Sequence, residues 1–179
     1  LKLKDLWNES QAVLFDFDGV LADSEPFYRE SWNQVLKSFG HSISPEDYWK
    51  HWSFLGEGLR GEILRSGLTV NDTEVLHRKQ RSIYEAICQS GRIPLFPHAR
   101  DALQAAMKKK PVAIASNTRR RLVEMIAANI PDLPVIVGGD GLRPKPAPDI
   151  FLRAAEVLGV HPSCCLVFED AMKGIRAAG

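Results

Sequence analysis

Gln11-Ala12-Val13-Leu14-Phe15-Asp16-Phe17-Asp18-Gly19-Val20-Leu21-Ala22-Asp23-Ser24 is the stretch whose reading decides the fold. Behind Gln11 an unbroken apolar run, Ala12 to Phe15, ends at an acid, the pattern of a buried parallel strand whose end meets solvent. Side chains alternate along extended backbone, so Asp16 and Asp18 project to one side while Phe17 turns back into the apolar layer. Two carboxylates that close repel unless a cation neutralises them or one keeps its proton, and magnesium prefers such oxygen ligands. Gly19 then lets the chain turn away without blocking the site. Taken alone, Asp-Phe-Asp-Gly also reads as a polar strand end entering a turn. The remainder of the chain has to separate the two readings.

Downstream of Ser24, residues 25 to 94 read as all-helical. Phe27, Trp32, Val35, Leu36 and Phe39 recur at helical spacing, with Ser24 as N-cap and Gly40 as the stop. Ser44-Pro45-Glu46-Asp47 opens a second helix running to about Trp52. A third follows Gly58 through Leu59, Ile63 and Leu64. Asn71-Asp72-Thr73-Glu74 starts a long fourth helix with Val75, Leu76, Ile83, Ala86 and Ile87 marking its buried side, ending at Gly91. From Pro97 helices and strands alternate, which predicts a parallel sheet covered by helices. The helices expected there are His98 to Lys109, with Ala99, Ala102, Leu103 and Ala106 inward, then Arg119 to Ala128, Asp149 to Leu158, and one opening near Met172. Between them run strands Pro111 to Ala115, Val135 to Val137 and Cys164 to Phe168. Residues 1 to 10 are a polar lead-in.

Composition narrows the function. A chain of 179 residues, 45% apolar, can bury a real core. With 23 basic against 22 acidic residues, its charge points neither to nucleic acid nor to an anionic membrane. The expected partner is a small molecule, and the charge balance leaves the oligomeric state open. No apolar run approaches the roughly 20 residues of a membrane span, and no leader pattern opens the chain. Cytosol is the default expectation, with a removed transit peptide as an alternative. Leu1 rather than Met stands first, as in a processed or partial chain. Cys88, Cys164 and Cys165 have no metal-site spacing and read as buried thiols.

Ligands of open parallel sheets bind outside the carboxyl ends of the strands. There the chain puts Asp16 and Asp18 after the first strand, Ser116 and Asn117 after the second, Lys145 in the loop after the third, and Glu169 and Asp170 after the last. Four carboxylates suit a magnesium ion, while a hydroxyl, a lysine and backbone amides opening a helix suit a phosphate. Together they describe phosphoryl transfer. With no histidine in the set and no phosphate-cradling Gly-x-x-x-x-Gly-Lys-Ser/Thr sequence, the reading is a carboxylate nucleophile and an aspartyl-phosphate. Each element alone has a plainer meaning: Ser116-Asn117-Thr118 as a helix cap, Lys145 as a solvated loop lysine, Glu169-Asp170 as acids at a helix start. Their order and common location carry the inference.

Asp16-Phe17-Asp18-Gly19-Val20, Ser116-Asn117, the stretch from Arg143 to Phe151 and the stretch from Phe168 to Ile175 resemble the four ordered motifs of the haloacid-dehalogenase-like superfamily. The likeness covers nearly the whole chain and is to the branch with a helical cap, which includes beta-phosphoglucomutase and sugar-phosphate and phosphoglycolate phosphatases. It implies an α/β fold: a Rossmann-like parallel-sheet core from residues 1–24 and 95–179, with an inserted all-helical cap domain, residues 25–94. It implies Asp16 as nucleophile and Asp18 as general acid/base. It also implies Ser116, Asn117 and Lys145 around the phosphoryl group, and magnesium held by Asp16, the Asp18 backbone carbonyl, Glu169 and Asp170. The expected activity is magnesium-dependent hydrolysis of a small phosphorylated metabolite. Alternatives are a mutase of the beta-phosphoglucomutase type and a non-catalytic phospho-ligand-binding relative. Relatives resembling the mutase carry a cap arginine three residues after a glycine, whereas here Leu59 has that spacing from Gly56 and Arg60 comes next. The same resemblance leads one to expect a further strand and helix beyond Gly179, and a Pro-Gly-Val where this chain has Pro97-His98-Ala99.

Overall fold

The computed structural model describes residues 2–179, which divide into two compact units, one of residues up to Asp23 and from Pro94 onward, the other Ser24–Ile93. The first unit is built on four parallel strands: β1 Ala12–Phe15, β2 Val112–Ala115, β3 Val135–Val137 and β4 Cys165–Phe168, in the order β3-β2-β1-β4. Val13 pairs with Val112 on one side and Leu166 on the other, and Ile114 pairs with Ile136. β1 is central because it is apolar on both faces, and every residue of β1 and β2 is buried. β4 is the half-buried edge.

Helix Asp149–Leu158 covers the sheet with Ile150, Phe151 and Ala154, packed on Leu14, Ala113, Ala115 and Val137. The small Ala113, Ala115 and Ala154 let helix and sheet approach closely. Burying Ile150 and Phe151 contributes roughly 1.5–3 kcal/mol each. Gly159, at φ 68, ends this helix in a left-handed turn that only glycine adopts freely. Helices Ala99–Met107, Arg120–Ile126 and Met172–Ala178 belong to the same unit.

Residues Ser24–Ile93 form an all-helical unit. Helix Glu25–Leu36 packs along helix Thr73–Gln89, and Trp32, Leu36, Ile43, Tyr48, Trp52, Leu59 and Leu76 form its core. Asp72 caps the long helix by accepting from Glu74 and Val75 N–H, 2.8 and 3.2 Å, and Ser44 caps Pro45–Asp47. Inside lies Glu62, 5% exposed, which accepts from Trp52 Nε1 at 2.8 Å, meets His41 Nε2 at 2.8 Å and pairs with Arg65. Burial works against its charge, yet the Trp52 and His41 hydrogen bonds and the Arg65 guanidinium hold its carboxyl below the usual range.

Several expectations are corrected. The lead-in contains a helix, Leu3–Glu9, fixed where Lys110 Nζ donates to Ser10 O and lies 5.4 Å from the Trp7 ring. Ser24 precedes its helix without a side-chain cap bond. The second helix winds as a π-helix over Tyr48–Phe54. Phe39 and Leu64 are exposed, as are Ala86 and Ala102. Cys88 is buried, but Cys164 and Cys165 are only partly so: Cys165 opens the edge strand, and Cys164 ends the short helical turn Pro162–Cys164 before it rather than starting the strand. No helix among the described residues is long and apolar enough to cross a membrane.

Candidate active site

The ends of β1, β2 and β4 lie side by side, so the parallel register itself gathers the polar residues that follow them. Asp16 N–H still donates to Phe168 O, 2.9 Å, which fixes the first acid one residue beyond the strand. Asp16, Glu169 and Asp170 each offer a carboxylate oxygen, and the three oxygens lie within 4.8 Å of one another. Lys145 reaches this group from the loop after β3. Its Nζ donates to Asp16 Oδ1 (2.7 Å), Glu169 Oε2 (2.7 Å) and Ala115 O (2.9 Å), using all three ammonium protons. The Phe151 ring centroid is 4.5 Å from the same nitrogen. The side chain of Lys145 is 1% exposed. A buried lysine is tolerated here only because two carboxylates and a carbonyl receive it.

The charge does not balance. One ammonium faces three carboxylates, and burial pushes the Asp16 carboxyl up to about 8, with Lys145 opposing and Glu169 and Asp18 adding to the rise. Burial and Glu169 raise Asp170 as well. A compact set of hard oxygen donors with excess negative charge is what a divalent cation such as magnesium fits.

Asp18 lies outside that set of three. Its Oδ2 accepts from Ser116 Oγ at 2.9 Å and from Thr118 Oγ1 at 2.8 Å. Asn117 does not turn its side chain to the acids: its Oδ1 accepts from Lys145 N–H, 2.9 Å, and anchors the lysine loop to the end of β2. Arg143 and Asp149 close the same loop with a paired contact, 2.9 and 2.8 Å.

Four residues escaped the sequence reading. Thr118 looked like part of a helix cap, and only the fold shows its hydroxyl on Asp18. Gly174 lies under Glu169, and a Cβ there would overlap the carboxylate. Gly139, with Gly138, packs against the backbone of residues 117–120, again with no room for a Cβ. At Gly19, φ is +81 and a Cβ would overlap the Asp170 carboxylate, so close approach and backbone conformation both demand glycine.

Fold and site together define an α/β protein that concentrates carboxylates and a buried lysine at the C-terminal ends of a parallel sheet. The model of the haloacid dehalogenase-like hydrolases matches residues 11–179, and the chain belongs to that family of enzymes. It is 34% identical over 188 residues to Protein CbbY of Rhodobacter capsulatus, covering 96% of this chain and 83% of that one. Over 182 residues it is 32% identical to a phosphorylated carbohydrates phosphatase of Thermotoga maritima, covering 94% and 80%. Beta-phosphoglucomutase of Bacillus subtilis is 30% identical over 180 residues, covering 93% and 78%. A crystal structure of CbbY from Rhodobacter sphaeroides in complex with phosphate matches with a TM-score of 0.74 at 28% identity, covering 94% of this chain and 81% of that one.

Proposed function

We propose that the chain hydrolyses a small phosphomonoester of the sugar-phosphate kind, with Asp16 as nucleophile. The supporting observation is the cluster of Asp16, Lys145, Glu169 and the more exposed Asp170 at the C-terminal ends of the strands, in a family with phosphatases among the relatives named above. Lys145 holds Asp16 Oδ1, which leaves Oδ2 to attack phosphorus. Attack forms a Asp16 Oδ2–P bond as the ester P–O bond breaks, and the leaving oxygen takes a proton from Asp18. Asp18 then accepts a proton from the water that cleaves the acyl phosphate. Ser116 and the Lys145 ammonium stabilise charge on the transferring oxygens. Asp16, Glu169, Asp170 and the Asp18 carbonyl would hold magnesium, which when bound offsets repulsion between the carboxylates and a phosphate.

The test is a screen of fructose 1-phosphate, glucose 6-phosphate, glycerol 3-phosphate and phosphoglycolate, with magnesium and with excess chelator. Asp16→Asn should fold and lose activity by several orders of magnitude. Retention of a tenth of wild-type turnover would refute the covalent route. The mutase reading has one relative in its favour. Against it, Leu59 is 4% exposed in the core of the helical unit, and the neighbouring Arg60, about 100° further round the helix, faces solvent. Incubation with beta-glucose 1-phosphate and a trace of the 1,6-bisphosphate should release phosphate; efficient conversion to glucose 6-phosphate would favour the mutase.

A further inference from the structure

The hydrogen bonds at the end of β2 raise a problem of proton supply. Ser116 is fully buried, and its Oγ accepts from Thr118 N–H at 2.9 Å while its proton goes to Asp18 Oδ2 at 2.9 Å. A hydroxyl has one proton. Phosphate oxygens are acceptors, so Ser116 serves a phosphoryl group only by withdrawing that proton from Asp18. Were Ser116 the sole tether, substrate arrival would release the acid/base when its aim matters most. Thr118 Oγ1 supplies a second donor to the same oxygen, 2.8 Å away.

The backbone carrying Thr118 is held in place. Its N–H is on Ser116 Oγ and its C=O accepts from Gly139 N–H at 3.1 Å. Ser116 N–H is in turn held by Val137 O at 3.0 Å. A Cβ on Gly138 would overlap Thr118 O and Arg120 N, and one on Gly139 would overlap Asn117 O. The loop is therefore pressed onto the end of β3 with little freedom to redirect the Thr118 hydroxyl.

We propose that Thr118 is a positioning residue for the reaction: its hydroxyl keeps the Asp18 carboxylate aimed while Ser116 transfers its own proton from Asp18 to the phosphoryl group. This rests on the phosphatase reading above. Thr118 touches neither the phosphorus nor the nucleophile, so its effect falls on proton transfer to the leaving oxygen.

Thr118→Val removes the hydroxyl at nearly constant volume, and Thr118→Ser keeps it. Steady-state kinetics with fructose 1-phosphate and with p-nitrophenyl phosphate, whose leaving group needs no proton, separate the roles. In Thr118→Val, kcat for fructose 1-phosphate should fall roughly 10- to 100-fold, the scale of a displaced catalytic group, with KM changed less than about 3-fold. The loss on p-nitrophenyl phosphate should be smaller, and Thr118→Ser should recover most of the rate. A wild-type kcat in the valine variant, an equal loss on both substrates, a rise in KM alone, or no rescue by serine would each overturn the proposal. Should Thr118→Val fail to fold, the ratio of the two substrates' rates in Thr118→Ser and Thr118→Ala decides in the same way. Failure of the underlying reading looks different: the wild-type protein would hydrolyse neither ester.

Discussion

Lys145→Met replaces the buried ammonium by an apolar chain of similar length. The three hydrogen bonds to Asp16, Glu169 and Ala115 vanish together, and two buried carboxylates lose the cation between them. Removing one partner of a buried ion pair costs about 3–5 kcal/mol, chiefly because the other charge stays behind. The Met sulfur against the Phe151 ring returns a small part of that. With a urea slope of about 2 kcal/mol/M, the midpoint at pH 7 should fall by roughly 2 M. The sign with pH follows from Asp16. Its folded carboxyl is raised to about 8, so between the ordinary carboxylate range and pH 8 the folded chain retains a proton that the unfolded chain has released. In metal-free protein this lowers stability as pH rises across that window. Lys145 opposes the upward shift of Asp16, so without it the Asp16 carboxyl keeps its proton to higher pH, and the variant's deficit should widen toward pH 9, where the wild-type Asp16 is ionised against the lysine. Urea titrations followed by circular dichroism at both pH values, in chelator, measure this. A midpoint unchanged at pH 7, or a deficit no larger at pH 9 than at pH 7, would refute the view that Lys145 acts mainly as a buried counter-charge.

In Gly174→Ala, the alanine favours its helix by about 1 kcal/mol but forces the Glu169 carboxylate from its place; phosphatase activity should drop at least about tenfold, and wild-type turnover would show that Glu169 relocates without consequence. His98 holds φ 70 as the N-cap of helix Ala99–Met107, a left-handed conformation that costs a side chain roughly 1–2 kcal/mol. His98→Gly should stabilise the protein by about 0.5–1 kcal/mol net of the entropy of a freer unfolded chain, visible as a higher melting temperature. An unchanged or lower value would mean that the His98 side chain, 3.8 Å from Asp101, offsets its own strain.

Apolar runs ending in acids made β1 and β4 readable, and with them the neighbourhood of Asp16 and Glu169, because a strand flanked by helices must be apolar throughout and polar where it stops. Periodicity located the helices but not their rotation at small residues: Ala86 and Ala102 fit either face, and alanine burial is too small to set one. Leu64 is 75% exposed because one-sided burial is a rule for a helix, not for each of its leucines. Thr118, Gly138 and Gly174 could not be assigned from spacing, since their roles depend on contacts between residues 20 to 100 positions apart or on the room under a neighbouring carboxylate. The Asn117 side chain anchors the Lys145 backbone, a contact across 28 positions that spacing cannot show.

The interruption of the sheet unit between Asp23 and Pro94 also shapes how the chain reaches its native state. Val13 finds its partner Val112 nearly a hundred residues later, a closure whose entropy grows with the logarithm of the intervening length. The segment between them is continuous and all-helical, and the local contacts within helices are the type that forms early. Its two flanks meet directly: Asp23 N–H donates to Pro94 O at 3.0 Å and Ala22 bridges Leu95. Once residues 24–93 have folded, the open loop between β1 and β2 shrinks to about 30 residues, which lowers the closure cost by about 1 kcal/mol. The insertion thus serves as a folding clamp for the strand that carries Asp16.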